Sequence, residues 1–134
     1  MNWHLLVAVL AAGTVASLTD WVFMGVLFHD RYNSYPEIWW PGVREGKERK
    51  GILWATLLGY FSAAAITALC VLAGVHDVKG GLVLSGLAWA AGPLFVLVVN
   101  GFFIKLDPLI TVAHSAGYLV RFLLAGLAAG FALR

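Results

Sequence analysis

The chain has 134 residues, 61% of them hydrophobic and only 12% charged. Soluble domains carry about 25% charged residues, so the composition argues for a membrane protein. The formal net charge of +2 is too small for a nucleic-acid partner, and the lone Cys70 excludes an internal disulfide or a cysteine metal cluster.

Apolar segments of about 20 residues span a bilayer core, and four of them fit this chain. They predict an all-α polytopic membrane protein: one domain over 1–134, with four transmembrane helices in an antiparallel bundle. The first is expected from Leu5 to about Phe28. Met1-Asn-Trp-His lacks Lys and Arg, and the apolar run exceeds the roughly 7–15 residues of a cleaved signal core, so the helix is expected to be retained. Gly13, Ser17 and Asp20 follow the spacing of one helical face, and Ala8, Ala12 and Ala16 make a second, small-residue stripe.

Asp30 to Lys50 forms the one substantial loop and holds five of the nine Lys and Arg residues. Its first half is aromatic, with Tyr32, Tyr35, Trp39 and Trp40 around Pro36 and Pro41. It either rests in the headgroup layer or rims an opening between helices. Gly42 to Lys50 is a short charged turn.

The second helix is expected from Gly51 to about Ala73, with Gly59, Ala63 and Thr67 as a small stripe beside Ala64 and Ala68. Tyr60 is its most informative polar group. A tight turn holding His76, Asp77 and Lys79 leads to the third helix, Gly81 to Lys105. Pro93 interrupts that helix, as a packing kink or as a break beside a cavity. Asn100 follows near its end. The fourth helix starts at Pro108 with Asp107 as its cap and runs to about Leu133. His114, Tyr118 and Arg121 share one of its faces. Gly126 and Gly130 make a GxxxG pair that packs within the monomer or between protomers.

Orientation follows from Lys and Arg. Arg31, Arg44, Lys47, Arg49, Lys50 and Lys105 mark one side and only Lys79 and Arg134 the other. The pattern predicts a bacterial inner-membrane protein with a cytoplasmic 29–50 loop and both termini outside.

At about 1.5 Å of rise per residue, Asp20 lies ~12 Å in from the loop side, Tyr60 ~13 Å, His114 ~9 Å, Asn100 ~6 Å and Arg121 ~20 Å. An ionised side chain there costs about 2.5–3.5 kcal/mol on insertion scales, so Asp20 and Arg121 would each relieve the other. The pair is either a packing device or a ligand-binding site with His114, Tyr60 and Asn100 orienting the ligand. His29 and His114 are weak metal candidates on the same side. No motif names a cofactor.

The length and four-span layout resemble the bacterial small multidrug transporters, whose first helix carries a central acidic residue where this chain has Asp20. Theirs is a glutamate, and their connections do not include such an aromatic loop. Asp20-Trp-Val-Phe-Met-Gly-Val-Leu-Phe28 is also similar to a segment in one uncharacterised family of small inner-membrane proteins. That likeness covers one helix and implies no activity.

The resulting expectation is handling of a small molecule or lipid, with transport as an extension, at a polar cavity open to the loop side. One alternative is a structural subunit, as a homo-oligomer or within a larger membrane complex. Another is a membrane-embedded enzyme using His29, His114 and Asp20. Membrane lipids are the expected surroundings in every case.

Overall fold

The computed structural model describes residues 3–33, 37, 48–105 and 107–134. Helix α1 covers Trp3–Leu27 and is α-helical over Trp3–Asp20, then a π-helix over Trp21–Leu27. A 3-10 turn, His29–Asn33, follows. Then come α2 (Glu48–Leu72), α3 (Val78–Phe103) and α4 (Pro108–Ala132). All four are long and apolar enough to cross a membrane, and the fold is an all-α, four-helix antiparallel bundle. The loop aromatics Tyr35, Trp39 and Trp40, Pro36 and Pro41, and the turn from Gly42 to Lys47, lie outside the described residues.

Helix ends follow their caps. The Asp77 side chain accepts a hydrogen bond from the Gly80 N–H at 2.6 Å. This N-cap places Gly80 and Gly81 inside the first turn of α3 and starts the helix at Val78, three residues before the expected Gly81. Asp107 caps α4 by accepting from the Leu109 N–H at 2.8 Å, with Pro108 in the first turn. The chain leaves α2 through Gly74, the one described glycine in the left-handed region, at φ 68°.

Pro93 does not break α3. The helix widens to a π segment, Ala90–Leu94, and resumes as an α-helix over Phe95–Phe103. Proline lacks an N–H and its ring crowds the carbonyl of Trp89 four residues back; a wider turn relieves both. Beyond Pro93, α3 packs only lightly on α4.

Large side chains face outward and small ones inward. Leu72, Phe102 and Phe103 are all more than 80% exposed, whereas Cys70 and Ser85 are the largest fully buried side chains. In lipid, apolar surface gains little by being hidden, so helices associate through close contact of small residues. α4 is the hub: α1, α2 and the first half of α3 all pack on it, while α2 and α3 barely meet. On α2, Gly59, Ala63 and Thr67 face inward and Ala64 and Ala68 face out.

The closest approach joins α3 and α4. A methyl group added at Gly126 would land on the Gly81 carbonyl oxygen and the Ser85 hydroxyl. One added at Gly130 would lie 2.6 Å from the Asp77 carbonyl oxygen. The Gly126–Gly130 pair therefore packs inside the chain, against the start of α3.

Candidate functional site

Two stripes at four-residue spacing face one another. On α1, the buried Ala8, Ala12 and Ala16 are continued by the half-buried Asp20. On α4, the buried stripe is Ala113, Gly117, Arg121, Ala125 and Ala129. Asp20 thus continues the alanine stripe rather than acting with Gly13, whose face is covered by the Tyr60 ring of α2.

The two charges lie at different depths, and helix geometry closes the gap. Side chains lean toward the N-terminus of their own helix. α1 and α4 are antiparallel, so Asp20 leans away from the loop end and Arg121 leans toward it. They meet: Arg121 donates from a terminal guanidinium nitrogen to Asp20 Oδ2 as an ion pair. The Arg121 side chain is 8% exposed and that of Asp20 17%.

Glycines make room for the pair. A methyl at Gly59 on α2 would sit 3.3 Å from the Arg121 guanidinium carbon, so the group rests directly on the α2 backbone. A methyl at Gly117 would sit 3.6 Å from Asp20 Oδ1. The guanidinium carbon also lies 5.6 Å from the Tyr118 ring centroid, one turn earlier on α4. The Tyr118 ring is 6.1 Å from that of His114. His114, Tyr118, Arg121 and Asp20 thereby form a polar file from the loop end into the bundle.

The pair is incompletely satisfied. Asp20 Oδ1 and Arg121 Nε are both buried without a hydrogen-bond partner. Each such group costs about 1–3 kcal/mol when a protein interior leaves it so. Directly after Asp20 comes the π segment, a feature that recurs at functional sites.

The other candidates lie elsewhere. The Tyr60 hydroxyl is 2.9 Å from Thr14 Oγ1 and links α2 to α1 rather than to the pair. Asn100 is half-buried on the loop-side part of α3, and its side chain has no hydrogen-bond partner among the described residues. His29 is exposed on the 3-10 turn. Among the described residues no three His, Cys, Asp or Glu side chains gather where they could hold a metal ion. A shallow apolar groove between Trp3, Val7 and Ala11 of α1 and Ala128 and Phe131 of α4 lies away from Arg121, at the end opposite the loop.

No family model matches the chain, and no curated protein or solved structure matches it.

At the loop end, two ion pairs tie the first loop to the α3–α4 connection. Lys105 Nζ donates to Glu37 Oε1 at 2.8 Å, and Arg31 lies 3.8 Å from Asp107. The hydrogen bond from Lys105 holds the Glu37 carboxyl below the usual carboxylate range.

Gly59 and Gly117 are the site residues that spacing alone does not assign to the site, and it places Tyr118 on the Arg121 face without a role. Tyr118 had a signal in its three-residue offset from Arg121. The glycines read as helix-packing residues, whereas in the fold they make space for charged groups.

Proposed function

We propose that the chain handles a small molecule or a lipid at the Asp20–Arg121 pair, with transport across the bilayer as the use of that site. The observation that carries this reading is the unfilled pairing. The two charged side chains of the span interiors come together, and each keeps one buried polar atom without a partner. Arg121 holds the polar group of the ligand, Asp20 is its counter-charge, and Tyr118 and His114 line the way from the loop end. The proposed setting is a bacterial inner membrane, and the distribution of Lys and Arg supports an orientation with both termini outside the cytoplasm.

A second reading is an assembly subunit, in a homo-oligomer or a larger complex. The lightly packed loop-side half of α3 favours it, since Phe95, Phe102 and Phe103 are exposed and available to meet another chain.

Replacing both charges by apolar residues, Asp20→Leu with Arg121→Met, decides between these readings. Exchanging a buried ion pair for apolar side chains is often neutral for folding. The double variant is expected to fold and to lose the small molecules or lipids that copurify with the wild type, read by native mass spectrometry in one detergent. Full retention would remove the pair from the binding site and leave packing as its role.

A further inference from the structure

Charge balance at the pair narrows the ligand class. Between their ends, the four spans contain two ionised side chains, Asp20 and Arg121, and together they are neutral. A ligand cation would have to take Asp20 from Arg121, leaving a net positive charge, because a guanidinium does not give up its proton. A ligand anion meets no such block, because Asp20 can be neutralised by a proton. The site is therefore asymmetric in favour of anions.

Geometry agrees. Arg121 Nε has no partner, and Asp20 engages the guanidinium from Oδ2 alone. A free carboxylate can span two guanidinium N–H groups side by side. Around the pair, Gly59, Gly117 and the Tyr118 ring add no second cation, which suits a singly charged group. The depth, ~12–20 Å from the loop end at about 1.5 Å per residue, lies below the headgroup layer and suits a small acid rather than a lipid phosphate.

We propose that the pair is a proton-coupled anion site: a small monocarboxylate replaces Asp20 on Arg121, and Asp20 takes one proton from water as it lets go. This rests on the reading that the pair binds a ligand. Other titratable groups are few near Asp20. His114 and Tyr118 on α4 and Tyr60 on α2 share its half of the bundle, and His29, Asp30, Arg31 and Asp107 stand at the loop end. α3 has none between Lys79 and Lys105.

The test is calorimetry on the full chain in a neutral detergent, with benzoate as the probe and benzylammonium as its cationic counterpart. Titrations at three pH values, in buffers of different protonation enthalpy, count protons. The expected result is one proton taken up per benzoate bound. Affinity should fall about tenfold per pH unit wherever Asp20 is ionised in the free protein, with no benzylammonium binding. Asp20→Asn should bind benzoate with a flat pH profile and gain more thermal stability from it than the wild type does. If Asp20→Asn does not fold, proton uptake by the wild type still decides. Benzoate binding without proton uptake, or equal binding of benzylammonium, overturns the proposal. So does no benzoate binding at all. If other ligands are still retained through Arg121 in that case, only the ligand class is wrong and the binding site stands.

Discussion

The Gly126 contact gives a prediction whose size can be worked out with an internal control. A methyl at Gly126 would meet the Gly81 carbonyl oxygen, the Ser85 hydroxyl and, at 2.8 Å, Ser85 Cβ. Ordinary contact begins at 3.4 Å, so the helices must open by at least about 0.6 Å there, and by more at the backbone oxygen, which cannot rotate away. A gap of roughly 0.5–1 Å forfeits about a quarter to a half of each dispersion contact along the seam. Overpacking of this kind costs about 1–3 kcal/mol. Gly→Ala also favours the helix itself by about 1 kcal/mol. Gly86→Ala has the same propensity gain, and its methyl would meet nothing within 4 Å. The difference between the two variants therefore isolates the clash, at about 1–3 kcal/mol against Gly126→Ala. Reversible unfolding in mixed detergent micelles measures it, with oligomeric mass followed in parallel. Equal stability of Gly126→Ala and Gly86→Ala would refute the packing argument. A change in oligomeric mass without loss of monomer stability would place the contact between chains.

Tyr60→Phe should cost about 0.5–1.5 kcal/mol by removing the bond to Thr14. Thr14→Val should cost a similar amount, and the double variant should be no worse than either, as read from the same unfolding midpoints. The Glu37–Lys105 link should depend on acid. Its carboxyl titrates below the ordinary range. The link is thus fully present above that range and is lost as pH falls through the lowered value. Following the Glu37 carboxyl carbon by NMR should show this, and Lys105→Gln should raise the titration toward the ordinary range, with the backbone hydrogen bond at Glu37 still holding it down in part. A reporter fused after Arg134 should read as outside the cytoplasm and one inserted at Gly46 as inside. A cytoplasmic C-terminus would overturn the orientation.

The four spans were legible because apolar runs, caps and prolines act locally. Asp107 marks a helix start through a bond that reaches only two residues; Asp77 does the same over three, but it reads as part of the turn, so the expected start of α3 falls three residues late. The partnership of Asp20 with Arg121 was legible on energy alone, since neither charge is tolerable by itself in lipid. Its geometry was not, because depth counted along the axis leaves the two about 8 Å apart at 1.5 Å per residue. The lean of each side chain toward its own N-terminus closes that distance. The π segment after Asp20 has no proline or glycine break at its start and left no local signal. The glycine stripes were visible, but which stripe meets which depends on four helices settling together. That is why Gly59 read as a helix contact when it makes room for a guanidinium.

The position of α4 at the centre of the bundle also sets an order of events. The chain is synthesised from its N-terminal end, so α1, α2 and α3 reach the bilayer before the helix they all pack against. Asp20 enters about a hundred residues ahead of Arg121. At roughly 5–20 residues per second, it waits about 5–20 seconds for its counter-charge. During that interval the first three spans have no common neighbour, and the acid must stay near the loop-side water or carry a proton. Insertion of α4 then supplies the hub and the missing charge in one step, so the last helix made is the one that commits the others to the fold.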